Sequence, residues 1–288
     1  MQLILAAALC SVLVSMLLKI CKRKGFDSMQ MICWNYAIAS VLCFYWFKPD
    51  LAHISVSNTP WWLILSLGVL LPSVFLCLSK SLQTAGIVKT EVAQRLSVVL
   101  SLGAAYFLFK EQFGTLKLVG IGLGITAVVC ILFSHRNNHA QAGSNASGMF
   151  HLASVWIGYA LVDILLKYTT GLGVQFAVAL NLMFICAFIF SLIFIILTTK
   201  RVGSISNTIL GLLLGVLNFA NIALYVKAHM LLKDTPAIVF AGMNILVVLL
   251  GVLSGLLFFK EKLKTSTSIG LGLGIMSVLC LAYAMTVS

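Results

Sequence analysis

The stretch FLFKEQFGTLKLVGIGLGITAVVCILF, residues 107–133, decides the reading of this chain, because 150 positions later the chain writes LFFKEKLKTSTSIGLGLGIMSVLCLAY, residues 257–283. Phe109, Lys110, Glu111, Thr115, Gly120, Gly122, Leu123, Gly124, Ile125, Val128 and Cys130 recur without a gap as Phe259, Lys260, Glu261, Thr265, Gly270, Gly272, Leu273, Gly274, Ile275, Val278 and Cys280. Apolar bias does not generate shared Lys, Glu and Thr. The chain is a duplication, and a repeat outranks any single residue as a guide to architecture.

Working outward, the composition leaves one solvent for most of the chain. Hydrophobic residues make up 61%, charged residues 9%, and the mean hydropathy is +1.10. A soluble domain carries roughly 25% charged residues. Long apolar runs select helices rather than alternating strands, and the bilayer admits only helices or closed barrels. The expectation is an all-α integral membrane protein whose main partner is the lipid bilayer. The net charge of +12 then belongs to loop Lys and Arg that orient helices, and no nucleic-acid partner is expected. Eight cysteines without C-x-x-C spacing read as small buried residues. The first apolar run lacks a basic leader and cleavage site, so it reads as a retained helix.

Ten apolar segments are expected, near 3–20, 28–47, 60–82, 88–109, 115–134, 151–167, 174–198, 206–232, 235–259 and 265–286. The polar stretch 135–149 is a linker between a first five-helix repeat, 1–134, and a second, 150–288. Val14-Ser-Met-Leu-Leu-Lys19 resembles Val162-Asp-Ile-Leu-Leu-Lys167, and Gly25 and Asn35 match Gly171 and Asn181. Five helices per copy turn the second copy upside down, giving an inverted repeat, an architecture that recurs in secondary transporters with a site near the midplane.

The twofold aromatic-Lys-Glu turn with its glycine-bearing last helix resembles the drug/metabolite transporter superfamily, in its EamA-like branch. The resemblance implies a central cavity lined mainly by the first, third, fourth, sixth, eighth and ninth helices, with the fifth and tenth as peripheral supports. It also implies cytoplasmic termini in a bacterial inner membrane. Charge bias points the other way. Ten loop cations (Lys22, Arg23, Lys24, Lys89, Arg136, Lys200, Arg201, Lys260, Lys262, Lys264) face five on the side of the termini (Lys48, Lys110, Lys117, Lys167, Lys233), which places the termini outside.

An ionisable side chain inside a membrane helix is a functional candidate by default. Arg95 lies in EVAQRLS, where Glu91 at i−4 offers a self-neutralising pair; alternatively its planar fork clamps a carboxylate or phosphate in the cavity. Gln94 neighbours it, and the positions 150 later are Asn244 and Ile245. Asp163 is the deepest acid. It either pairs with Lys167 one turn on or exchanges a proton, with Glu91 as a second coupling candidate. Tyr159 shares its face, and Trp156 lies within two turns. Asn218, Asn221 and Tyr225 form a polar stripe, extended by Lys227 and His229, that reads as either helix–helix bonding or a cavity wall. Asn35 and Asn181 read as bonds between helices. Lys19 and Lys80 lie near helix ends and are expected to snorkel.

Several patterns lead nowhere. Asn145-Ala-Ser is a formal glycosylation sequon. Gly120-x-Gly-x-Gly124 and Gly270-x-Gly-x-Gly274 lack a preceding strand and the dinucleotide spacing, so they read as packing sites. His135 and His139 make no metal site, no catalytic constellation is present, and no cofactor is implied. The expected function is a secondary active transporter, an exporter of amino acids or similar small metabolites. Alternatives are an organic-phosphate or nucleotide-sugar exchanger, which needs Lys227 in the cavity besides Arg95, and a non-transporting scaffold. A lipid-acting enzyme lacks its nucleophile or carboxylate cluster. A homodimer is a further expectation.

Overall fold

A computed structural model describes residues 2–52, 54, 59–108, 113–136, 142–199, 204–232 and 234–287. These form eleven helices and no strand among the described residues: α1 (Gln2–Arg23), α2 (Ser28–Phe47), α3 (Trp61–Thr84), α4 (Ile87–Arg95), α5 (Ser97–Leu108), α6 (Thr115–Arg136), α7 (Ala142–Gly171), α8 (Phe176–Thr199), α9 (Ile205–Leu231), α10 (Pro236–Leu257) and α11 (Thr265–Val287). Eight of them are long and apolar enough to cross a bilayer, namely α1, α3 and α6 to α11. The protein is a multi-pass integral membrane protein. The first aromatic-Lys-Glu turn (109–111), His139, Lys200, Arg201 and Lys233 lie outside the described residues.

Two segments depart from the expectation. The segment 28–47 forms α2, but its Gln, Asn, Tyr and Trp residues keep it short of a fully apolar span. Several of its polar groups bond neighbouring helices, while Asn35 Nδ2 and the Tyr36 hydroxyl have no partner. Asn207 donates to Gln30 Oε1 (2.7 Å), Asn218 donates to Asn35 Oδ1 (3.2 Å), and Asn181 Nδ2 donates to the Ser40 carbonyl (2.9 Å). Asn35 and Asn181 thus bond helices together, as expected.

The segment expected as one helix over 88–109 is broken in two. Leu96 (φ −80°, ψ 0°) separates α4 from α5. No proline or glycine causes the break. The Ser97 hydroxyl donates back to the Gln94 carbonyl (2.7 Å) and competes with the backbone ladder. The Trp156 indole on α7 donates to the Leu96 carbonyl (3.0 Å). A side chain drawn into the ladder is a recognised cause of a kink.

α2 packs against α8 and α9, α3 against α7 and α8, α1 against α9 and α10, α4 against α10, and α5 against α7. α6 and α11 pack mainly against each other at the edge of the bundle. Glycines set how close these helices come. A Cβ at Gly270 would fall 2.6 Å from Ile131 Cγ1, one at Gly120 would fall 2.9 Å from Leu281 Cδ2, and Ser277 donates to the Gly120 carbonyl (2.6 Å). Gly122 and Gly272 meet nothing within 4 Å, so the repeated glycines pack through the outer pair, four residues apart. At the crossing of α2 and α9, a Cβ at Gly215 would lie 2.5 Å from the Asn35 carbonyl oxygen.

Two stability outcomes are expected. Gly215→Val forces backbone apart, because the obstructing atom is a carbonyl, and is expected to cost about 3 kcal/mol or more; Gly122→Ala is expected to stay within about 0.5 kcal/mol. Trp156→Phe keeps the ring but removes the donor at the break, and is expected to cost about 1 kcal/mol. Thermal unfolding of the purified variants in one detergent checks all three.

Candidate functional site

The break in the α4–α5 segment opens the centre of the bundle. Because α4 stops at Arg95, this side chain leaves the helix surface and points inward, where its Nη2 donates to the Ser11 hydroxyl of α1. Its Nε is buried and has no hydrogen-bond partner. Arg95 borders a cavity of about 340 Å3. Gln94, Ser97 and Val98 flank it, α7 contributes Tyr159 and Asp163, and α9 contributes Asn218, Asn221 and Tyr225. Phe240, Met243 and Asn244 of α10 complete one wall. Past Tyr225 the cavity continues into a vestibule of about 570 Å3 bounded by Phe176, His229 and Met230. The Tyr225 and His229 rings meet edge to face at 4.6 Å.

The structure therefore brings together Arg95, Gln94, Asp163, Tyr159, Asn218, Asn221, Tyr225 and Asn244, eight sequence candidates from four helices. Two of these side chains also serve the fold. Asn218 donates to Asn35, and Asn244 donates to the Phe240 carbonyl of its own helix (2.8 Å). Asn221 Oδ1 is buried without a donor. The polar stripe of α9 is both bonding and wall, since Asn218 reaches α2 while Asn221 and Tyr225 face the space.

Of the alternatives left open for the two charged helices, neither the Glu91–Arg95 nor the Asp163–Lys167 ion pair forms among the described residues. Glu91 and Arg95 make none: Arg95 bonds Ser11, while the Glu91 carboxylate is fully buried and neither oxygen has a hydrogen-bond partner. Glu91 lies outside the cavity lining, against α10, where a Cβ at Gly251 would be 3.0 Å from its Cγ. Both lie within α4, and the guanidinium turns to Ser11 of α1 instead of to the carboxylate. Asp163 forms no ion pair among the described residues and is exposed to the cavity, while Lys167, one turn on, is exposed nearer the helix end. Among the described residues, Arg95 and Asp163 are the only charged groups lining the cavity.

Three further expectations need correction. Lys19 does not snorkel: it is 3% exposed and pairs with Glu261. Lys80 is exposed, as expected. Lys227 is exposed with its ammonium 5.8 Å from the Trp46 ring centroid, and does not line the cavity. The lining also differs from the one the resemblance implied. α1 touches the cavity only through the Ser11 bond to Arg95, whereas α2 contributes Tyr36 and α8 contributes Phe176 and Phe184. α6 and α11 contribute nothing to it.

Sequence reasoning missed the floor. Tyr36 is 1% exposed, its hydroxyl has no partner, and its ring stands 6.0 Å from Phe75 and 5.9 Å from Phe184. Nothing in the apolar runs distinguishes these rings from lipid-facing ones. A signal for Ser11 was present, as Ser11, Ser15 and Lys19 recur at a spacing of four.

The cavity offers a lone guanidinium, a lone carboxylate, several amides and hydroxyls, and apolar rings below. That set can hold a small molecule bearing both charges on an apolar body.

Comparison with known proteins agrees with this architecture. Residues 1–133 match the EamA-like transporter family. An uncharacterized protein of Haemophilus influenzae (strain ATCC 51907 / DSM 11121 / KW20 / Rd) is 38% identical over 285 residues, covering 96% of this chain and 96% of its own. One solved crystal structure covers 98% of this chain and 99% of its own, with a TM-score of 0.59 at 13% identity, a likeness of fold. The chain belongs to the EamA-like transporter family, within the drug/metabolite transporter superfamily.

Proposed function

We propose that the protein is a secondary active transporter that exports amino acids or similar small zwitterionic metabolites by alternating access. The observation that carries this reading is the central cavity in which Arg95 and Asp163 stand apart, unpaired with each other, on α4 and α7. A carboxylate suits the planar fork of Arg95, an ammonium suits Asp163 and the free Asn221 oxygen, and a side chain fits above Tyr36, Phe75 and Phe184. Charges in a membrane interior are costly unless satisfied. A zwitterion satisfies both at once and adds no net charge to the site.

The halves 1–134 and 150–288 act as inverted repeats, joined by the linker 135–149. In support, helix contacts come in matched pairs. α2 with α9 answers α8 with α3, and α3 with α7 answers α9 with α1. α1 with α10 answers α7 with α4 and α5. Glu91 and Asp163 are the carboxylates available for proton coupling. The bacterial inner membrane is the proposed location, in keeping with the Haemophilus relative. The outer faces of α6 and α11 are where a homodimer would meet. The exchanger of organic phosphates or nucleotide sugars is less well supported, since Lys227 stands outside the cavity and Arg95 is its single lining cation among the described residues.

Thermal stability of the purified protein against amino acids, polyamines, purines, organic cations, sugar phosphates and nucleotide sugars tests the reading. A ligand at about 100 times its dissociation constant adds roughly 2.7 kcal/mol. Amino acids are expected to stabilise the protein, and both Arg95→Gln and Asp163→Asn to abolish the shift. Stabilisation by sugar phosphates alone favours the exchanger. A shift that survives both substitutions removes the cavity as the site, and a protein that shifts with nothing and moves nothing in liposomes is a scaffold.

A further inference from the structure

At the end of the bundle opposite the vestibule stands the second aromatic-Lys-Glu turn, Phe259 to Glu261. Along α9, Asn207 at that end and His229 at the vestibule are separated by about 33 Å at 1.5 Å per residue. Near Asn207 the polar side chains are buried and bonded across helices, Gln30 with Asn207 and Ser28 with Ser79 (2.9 Å). The turn after α10 lies at this end. Its Lys260 adopts a left-handed conformation (φ 51°), and Glu261 N donates to the Gly255 carbonyl (2.9 Å). This fixed turn aims Glu261 at the start of α4.

There the Glu261 carboxylate accepts from Ile87 N (2.7 Å) and Val88 N (3.2 Å) and pairs with Lys19 of α1. It satisfies two of the four free amides at the α4 N-terminus and complements the helix dipole. Phe259 lies under the Lys19 ammonium at 4.7 Å. Room for the carboxylate exists because Gly86 has no side chain: a Cβ there would fall 2.7 Å from Glu261 Oε2. The positive φ of Gly86, 93°, gives a second reason for glycine at that position.

A seam connects this contact with the cavity. α1 and α4 run antiparallel, and residues four apart face each other along them. Arg95 bonds Ser11 at the cavity. Glu91 and Ser15 lie one turn further in, both buried. The α4 N-terminus, Glu261 and Lys19 close the far end.

We propose that Glu261, with Lys19, is the latch that keeps this end of the cavity shut, and that release of the latch opens the seam between α1 and α4 toward that side. The inference rests on the transporter reading, in that it assigns the closed gate of an alternating-access cycle. Glu261 belongs to the second half, while Lys19 and α4 belong to the first, so the latch breaks when the halves rock apart. Because α4 carries the latch at one end and Arg95 at the other, displacing α4 from Glu261 also moves the guanidinium.

The test uses Ser15→Cys in the full-length chain with its eight native cysteines replaced. A membrane-impermeant maleimide is applied in turn to right-side-out and inverted vesicles. With the latch intact, Ser15→Cys, buried in the seam, is expected to react slowly from both sides. Adding Glu261→Gln is expected to raise labelling about tenfold, from the side of the Lys22–Lys24 loop only, as loss of a charge-assisted hydrogen bond would produce. Lys19→Met leaves the carboxylate on the α4 amides, and a smaller rise in the same direction is expected; it also serves if Glu261→Gln fails to fold. Unchanged labelling in both variants, or a rise from the vestibule side, overturns the latch. The readout needs no cargo. A rise in a protein that transports nothing keeps the latch and discards the carrier, and unchanged labelling in a protein that transports discards the latch alone.

Discussion

Hydrocarbon offers no partner to a polar group, and every part of this structure depends on that constraint. Along most of the bundle it is met in two ways. Glycines let backbones touch, as at Gly120 and Gly270 between α6 and α11, and polar side chains are spent on neighbouring helices, as Asn207 is on Gln30 and Asn181 on Ser40. In the centre it is not met. Arg95 Nε, Asn221 Oδ1 and the Tyr36 hydroxyl are left without partners around a cavity that also exposes Asp163. Buried groups left unsatisfied are expensive. Others, on Glu91, Asn35, Asn181, Ser191 and Asn207, lie away from the cavity, and the three around it are the ones a solute can reach and satisfy.

The break at Leu96 lies beside this arrangement. Arg95 is the last residue of α4 and lines the cavity, while Glu91, one turn earlier in the same helix, is packed against Gly251. A short half-helix with a charged residue at its inner end is a device that secondary transporters use at binding sites. Here the device is held by two side chains, Ser97 and Trp156, rather than by a helix-breaking residue.

How much of this could be read from the chain follows from the range of each interaction. The duplication was legible as the repeat of 107–133 at 257–283, and the all-helical membrane fold as long apolar runs. Charged and amide residues inside apolar runs identified six of the cavity residues, because such residues seldom survive in lipid without a use, and Tyr159 and Tyr225 followed from sharing their helix faces. The break at Leu96 was not legible: Ser97 is a weak signal, and the indole that completes it lies 60 residues away. The Tyr36 floor was not legible either, since a ring facing a cavity and a ring facing lipid look alike in sequence. The partner of Lys19 was hidden by distance. The helical pairs Glu91–Arg95 and Asp163–Lys167 looked right by spacing, and spacing does not say which way a helix faces.

That distance also has a consequence for how the protein is made. Lys19 enters the membrane with the first helix, and Glu261 follows 242 residues later. At about 5–20 residues per second, translation takes roughly ten to fifty seconds to cover that interval. For that time the ammonium has no carboxylate to meet, and a buried unpaired charge is not tolerated. The lysine must wait at the water interface, its stem extended along the helix. It is drawn inward only when the loop after α10 emerges. α1 is thus inserted first and seated later, once the turn after α10 has emerged.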